Sequence, residues 1–393
     1  MLLSLSLILS TALLFSGLLN RIKLPGLIGM IIAGMLLGPH GFNVIDSSLL
    51  NISSELRQIA LIVILLRAGL ALDIEDLRKI GRPAFLLSFV PASFEIIAIT
   101  FFAPKLLGLS LVDSALLGSI IAAVSPAVVV PRMLNLINNP ATNHNRIPQL
   151  IMAGASVDDV YVIVLFSSFL ALSLGQDVNL MTFIRLPIGL ILGIITGVLS
   201  SVLLVYFFKK FHIRDTVKFL ILLSVSFVLV NIESRYSTII PFSGYIAILS
   251  MGISLLQRYP VMSHRLSIKF NKAWVASEIL LFVLVGAIVD LSHLQYIGIT
   301  AILLLFLGLI LRSLGVFISL SKSGLNLKEK IYSMISYLPK ATVQAAIGAI
   351  PLSVGLESGN TILAMAVLAI LITAPLGAIG MDKLQSFITK KAA

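Results

Sequence analysis

The 393-residue chain has no cysteine, one tryptophan, five histidines and only 11% charged residues. Each shortage removes a class of chemistry. Without cysteine there are no disulfides, thiolate metal sites or cysteine nucleophiles. The histidines (His40, His144, His212, His264, His293) all fall in stretches that read as loops, so an intramembrane histidine relay or metal site is not expected. A soluble domain carries roughly a quarter charged residues. With 58% hydrophobic residues and a mean hydropathy of +1.08, this chain could not hide its apolar surface from water. Soluble enzyme, nucleic-acid module and disordered regulator are excluded for the chain as a whole. What remains is a polytopic membrane protein.

A spanning helix needs about 20 mostly apolar residues. Breaks at charge, glycine and proline clusters leave thirteen candidate spans: 2–20, 26–38, 57–72, 83–103, 112–134, 149–173, 183–208, 217–231, 238–256, 273–289, 295–319, 332–354 and 360–383. None shows the strict alternation of a membrane barrel, so the fold class is all-α. Twenty-one of the 28 Lys and Arg lie on one side by this parse, four on the other and three within spans. The positive-inside rule then places the N-terminus outside and the C-terminus in the cytoplasm. The net charge of +11 is thus an orientation signal, with no nucleic-acid partner implied. The first span has no basic residue before it, Arg21 and Lys23 following it instead, and reads as a retained helix and not a cleaved leader.

Two spans are interrupted at membrane depth, the fifth by Ser125-Pro126-Ala127-Val128-Val129-Val130-Pro131 and the twelfth by Leu338-Pro339-Lys340-Ala341-Thr342-Val343-Gln344. Proline removes a backbone donor and clashes with the preceding turn, so both helices should break there. The two spans are seven apart, an odd number, so equivalent helices run in opposite directions. Spans one to six and eight to thirteen are expected to form inverted repeats joined by span seven, with two crossed broken helices. Paired interruptions of this kind point to a transporter binding site.

Charges inside spans are costly and mark ion pathways or ion pairs. Among the 17 acids, Glu95, Asp158, Asp159 and Glu278 lie well inside, as do the bases Arg312 and Lys340. Asp158 and Asp159 point about 100° apart on one helix, so one can face a cavity while the other faces a neighbouring helix. They should share protons as a coupled pair. Their hard oxygens suit Na⁺ or Li⁺, and a site that takes either a cation or a proton from alternate sides is an exchanger. Lys340 is expected to neutralise Asp158. Glu95 and Arg312, on spans four and eleven, are expected to form a buried bridge, structural in character. Arg67 reads as a snorkelling structural residue, and Glu278 as interfacial, with ion entry as its alternative role.

The ordered set GASVDDV around Asp158 and Asp159, VSPAVVVP around Ser125, and LPKATVQAAIG around Lys340 and Thr342 resembles the monovalent cation:proton antiporters. The branch resembled is the one with two adjacent aspartates, and PKATVQAA is especially like the sodium/hydrogen antiporters of the NHA subfamily. LLRAGLALD (65–73) and LLFVLVGAIVD (280–290) also match. The resemblance covers residues 25 to 380. It implies that Asp159 is the main carboxylate for both ion and proton, with Asp158 as partner. Ser125 and Thr342 at the broken-helix ends would supply dipoles and oxygen ligands. Glu95 and Arg312 would bridge within the ion-transporting core, with Lys340 beside the aspartates.

The resemblance further implies a core domain (83–173 and 295–383), a dimerisation domain (1–82 and 217–289), a linker helix (183–208) and a homodimer moving its core like an elevator. Related two-aspartate transporters often carry lysine where this chain has Arg312. An arginine cannot release its proton, whereas Lys340 can, so the number of protons per cation stays open. The lack of a long tail or nucleotide-binding domain weighs against a ligand-gated potassium-efflux protein.

The function expected is secondary antiport of Na⁺ or Li⁺ against H⁺, with no cofactor and no enzymatic activity. The setting is a cell membrane, bacterial by its short loops. K⁺/H⁺ exchange and ion-coupled solute symport on the same fold are the alternatives within transport. An intramembrane aspartyl protease is a remote one, because that chemistry needs two aspartates facing each other from different helices. A channel is disfavoured by the buried Lys340 and Arg312, which favour occlusion over an open pore.

Overall fold

A computed structural model describes residues 1–72, 81–138, 146–174, 180–211, 213–236 and 242–388; within helices, the side chains of 138, 156, 180–187, 291 and 293–296 are outside the description. The described residues are helical, with no strand. In chain order the helices are α1 (Leu2–Arg21), α2 (Gly26–Leu37), α3 (Ser47–Asn51), α4 (Ser53–Ala71), α5 (Arg82–Leu87) and α6 (Val90–Leu107). Then come α7 (Leu111–Ala122), α8 (Pro126–Asn138), α9 (Ile147–Ser173), α10 (Leu180–Lys210), α11 (Asp215–Tyr236) and α12 (Gly244–Arg258). The chain closes with α13 (Pro260–Ala287), α14 (Leu291–Ser319), α15 (Leu327–Ser336), α16 (Thr342–Ile347), α17 (Ile350–Ser353) and α18 (Gly359–Lys383). Nine helical stretches among the described residues are long and apolar enough to cross a membrane, and Gly26–Leu37 and Thr342–Ser353 are shorter apolar ones.

Among the described residues each apolar run expected to be a span holds a helix or helix fragments, residues 238–241 of the ninth lying outside the description. The breaks follow proline. In the fifth span residues 123–125 leave the helix, and Pro126, which has no N–H to contribute, opens α8. Pro131 lies inside α8 without ending it. In the twelfth span residues 337–341 separate α15 from α16.

Three features differ from the sequence expectation. The fourth span is itself broken at Ser88 and Phe89, because Pro91 has no N–H to give the Leu87 carbonyl four residues earlier and its ring clashes there. The tenth span begins 13 residues early, at Pro260, because its first half is polar and carries Arg265, Lys269 and Lys272. That extension places His264 on a helix instead of in a loop, and His293 likewise belongs to α14. His264 is exposed, and the side chain of His293 is outside the description. His144 and His212 lie outside the described residues.

The chain divides into two compact units. The first comprises Met1–Ser54, Glu75–Phe169 and Ile279–Ala393, the second Glu55–Ile74 and Leu170–Glu278. In the first unit, α6 lies along α14, α7 folds back on α6, and α18 packs against α14, α15 and α16. Small residues permit close backbone approach there, as is usual where lipid supplies no hydrophobic drive between helices. A Cβ on Gly34 would collide with the Val283 carbonyl, and one on Gly286 with the Ile31 carbonyl, so α2 and the end of α13 touch backbone to backbone. In the second unit α10 packs on α12, with Gly197 against the Ala247 carbonyl. Residues 83–173 and 295–383 sit in the first unit up to Phe169 and supply the cluster of four buried charges described next.

Replacing Gly286 by valine should force α2 and α13 apart. A core overpacked in this way loses about 1–3 kcal/mol, so the purified variant should melt at a clearly lower temperature. An unchanged melting curve would mean that the close approach contributes nothing.

Candidate ion-binding site

Four charged side chains with no solvent exposure meet where the broken helices come together: Glu95 on α6, Asp158 on α9, Arg312 on α14 and Lys340 in the break after α15. Arg312 is the hub. Its Nη1 donates to Glu95 Oε2 at 2.8 Å and its Nη2 to Asp158 Oδ2 at 2.9 Å. Its Nε donates to the Tyr337 carbonyl at 2.7 Å, and Nη1 also donates to the Ala122 carbonyl. The Tyr337 ring lies 5.5 Å from the guanidinium carbon, within cation–π range. Lys340 Nζ donates to Glu95 Oε2 at 2.6 Å and to the Ala122 carbonyl at 3.3 Å.

The Glu95–Arg312 bridge therefore forms as the spacing suggested. The pairing expected between Lys340 and Asp158 does not. Lys340 holds Glu95, and Asp158 is held by Arg312 and by the Val124 N–H at 2.9 Å. The reason is reach. The α15–α16 break, where Lys340 sits, approaches α6 and the end of α7, while the long guanidinium of Arg312 spans both carboxylates at once. Two acids and two bases thus cancel in formal charge, which is what a low-dielectric interior demands of buried ions.

Asp159 takes no part in these ion pairs. It is half-buried, its Oδ1 has no hydrogen-bond partner among the described residues, and it interacts electrostatically with Asp158 and Arg312. Further buried oxygens of the cluster and the two breaks are likewise without a described partner: Glu95 Oε1, Asp158 Oδ1, Ser125 Oγ, Tyr337 Oη, Thr342 Oγ1 and Gln344 Oε1. Ser125 is the last residue of the first break and Thr342 the first residue of α16, so both stand at the positive end of a half-helix. Carboxylate and hydroxyl oxygens of this kind are what a hard cation takes as ligands. Among the described residues no three of His, Cys, Asp and Glu are grouped as for a resident metal ion.

The two breaks are tied to each other. The Ser125 N–H donates to the Pro339 carbonyl at 2.8 Å, and the Lys340 N–H to Thr373 Oγ1 on α18 at 2.9 Å. Gln344 on α16 donates from Nε2 to the carbonyls of Ile120 and Ile121 at 3.1 Å and of Ala123 at 2.9 Å. Tyr337 is fully buried, and its hydroxyl lies where a Cβ on Gly154 would be, one turn before Asp158. Gln344 and Tyr337 were not singled out from sequence. The signal for Gln344 was present, a carboxamide inside an otherwise apolar membrane segment. The role of Tyr337 rests on its carbonyl and ring, which carry no sequence signature.

The remaining intramembrane charges lie in the second unit. The Arg67 guanidinium stands 5.8 Å from the centre of the Trp274 ring, and Glu278 interacts with both Arg67 and Trp274. Arg67 therefore has a partner on a neighbouring helix and does not merely snorkel. Glu233, half-buried and not singled out from sequence, accepts from the Gly244 N–H at 3.0 Å at the start of α12.

Residues 7–382 match the family model described as sodium/hydrogen exchanger, transmembrane. The chain belongs to the sodium/hydrogen exchanger family. It is 33% identical over 385 residues to sodium/hydrogen exchanger 9B2 of Mus musculus, covering 94% of this chain and 69% of that protein. With the Homo sapiens protein of the same name it shares 34% over 376 residues, covering 91% of this chain and 68% of the relative. Its fold is that of the sodium proton antiporter MjNhaP1 from Methanocaldococcus jannaschii, with a TM-score of 0.80 over 98% of this chain and 96% of that one, at 22% identity. This family member is a multi-pass membrane protein with the all-helical architecture expected from its sequence.

Arg312→Ala should leave Glu95 and Asp158 facing each other without their shared cation. Breaking a buried pair from one side costs about 3–5 kcal/mol, so the variant should lose much of its thermal stability. Combined with Lys340→Ala, the loss should depart from additivity, since both bases serve Glu95. Additive losses would show that the four charges do not act as one unit.

Proposed function

We propose that the chain is a secondary active antiporter that exchanges Na⁺ or Li⁺ for H⁺, with the two substrates competing for Asp159. The observation that carries this reading is the charge balance of the site. Glu95, Asp158, Arg312 and Lys340 neutralise one another, and Asp159 stands beside them outside their ion pairs. A carboxylate in that position needs a counter-charge whenever it is ionised. A proton or a small cation each supplies it, and either leaves the site neutral. The relatives' names point the same way, and the hydroxyls of Ser125 and Thr342 offer neutral oxygens to complete a cation's shell.

In this reading deprotonated Asp159 takes the cation from one side, with Asp158 Oδ1 as its partner oxygen. Protonation from the other side displaces it. Coupling requires only that the empty, charged site crosses the membrane poorly, because burying a lone carboxylate is costly. Asp158 Oδ2 is committed to Arg312 and Val124, so Asp158 assists and does not carry the exchange. Arg312 cannot carry a proton. Lys340 is the one base in the cluster that can, and its participation would set the proton count.

The proposal extends to assembly and orientation. We assign 83–173 and 295–383 to the ion-transporting core, 1–82 and 217–289 to a dimerisation surface of a homodimer, and 183–208 to the connecting helix. The lysine and arginine bias supports an orientation with the N-terminus outside and the C-terminus in the cytoplasm of a cell membrane.

In liposomes containing a pH dye, Na⁺ or Li⁺ should trigger proton movement, and Asp159→Asn should abolish it while the protein still folds. Full exchange by that variant would overturn the assignment. Competition also fixes the pH dependence. Once the medium is acidic enough to protonate the site, each further unit of acidification should raise the apparent KM for Na⁺ by about tenfold or more, with little change at saturating cation, since the cation displaces at least the proton on Asp159. A KM independent of pH in that range would rule out a shared site.

A further inference from the structure

The C-terminal end of α7 lies beside the proposed cation site, since the Val124 N–H just past it donates to Asp158 Oδ2 at 2.9 Å, yet four consecutive carbonyls there are already occupied. The two N–H bonds of Gln344 Nε2 are shared among the carbonyls of Ile120, Ile121 and Ala123 at 3.1, 3.1 and 2.9 Å, and Ala122 accepts from Arg312 and Lys340. A helix end leaves its last carbonyls without intrahelical partners and carries about half a negative charge. In transporters built on broken helices such ends are ready cation ligands. Here a buried carboxamide reaches across from the other broken helix and covers them, with Gln344 itself fully buried.

We propose that Gln344 is a specificity-determining positioning residue, which holds the end of α7 out of the cation's coordination shell and so confines the cation to carboxylate and hydroxyl oxygens. The inference rests on the site reading above, since it needs the cation at Asp159. Its physical content is the kind of oxygen on offer. A shell dominated by two carboxylates has high field strength and favours a small, closely held ion. Added neutral carbonyls increase ligand number and soften the field, and selectivity between cations turns on those quantities and on the flexibility of the ligands. Uncovering three carbonyls should therefore admit K⁺. Gln344 also ties α16 to α7, so a purely structural role is the reading to separate: it would alter stability and turnover for all cations alike.

The test measures the apparent KM for Na⁺, Li⁺ and K⁺ of the full-length protein in liposomes, together with its melting temperature. Gln344→Met keeps the side-chain length and removes both amide functions. The ratio of KM for K⁺ to KM for Na⁺ should fall at least tenfold. Gln344→Asn keeps the carboxamide but withdraws it by one methylene, so it should shift the ratio the same way by less, and it decides the matter if the methionine variant does not fold. Ratios unchanged from the parent, with turnover or melting alone affected, would overturn the proposal. Asp159→Asn is run alongside. If it exchanges normally, the site reading fails on its own account. If it is inactive while the Gln344 ratios stay fixed, only the role of Gln344 falls.

Discussion

One guanidinium buried between two carboxylates is the constraint on which the first structural unit depends. Arg312 is fully buried and touches Glu95 on α6, Ala122 at the end of α7, Asp158 on α9 and Tyr337 after α15. In a low-dielectric interior none of these partners can be released without leaving a charge or a polar group unsatisfied. The interaction need not be a large net source of stability, because desolvation offsets much of it. Its consequence is geometric: five elements have one mutual arrangement in which every nitrogen of the guanidinium has a partner.

The broken helices follow from the same accounting. An intact helix satisfies its own backbone and offers nothing at membrane depth. Breaking α7 from α8 and α15 from α16 exposes carbonyl ends that receive Arg312, Lys340 and Gln344, and amide ends that stand near Ser125 and Thr342. The freed N–H of Ser125 finds the Pro339 carbonyl, and that of Lys340 finds Thr373. The breaks are thus tied to each other and to α18, while Ser125 Oγ, Thr342 Oγ1 and Gln344 Oε1 stay buried there with no partner among the described residues. Rigidity around the cluster and unsatisfied oxygens next to it are complementary parts of one arrangement.

Family membership, fold and charge balance converge on cation and proton exchange without any one of them sufficing. The relatives share about a third of their residues with this chain, and the archaeal antiporter's structure is shared at 22% identity, where only the fold is common. The charge balance adds something independent. It separates Asp158, whose Oδ2 is already bonded to a base, from Asp159, whose Oδ1 is not, although the two are neighbours in sequence.

Much of this was legible in the sequence. Helix count, membrane class and the places where two spans break follow from apolar run length and from proline, which act over a few residues. The intramembrane acids and bases could be named because any charge at that depth demands an account. The break at Ser88 and Phe89 and the polar first half of α13 were missed, because hydropathy averages over a window wider than a kink and is blind to a helix that leaves the apolar layer. What only the tertiary structure decided is who pairs with whom. Lys340 is bound to Glu95, 245 positions away, and not to Asp158. Gln344 caps a half-helix more than 200 residues earlier. Composition and periodicity register that a buried charge must be matched, but the identity of its partner is fixed by where the packed helices bring side chains within about 3 Å, the range over which a hydrogen bond forms.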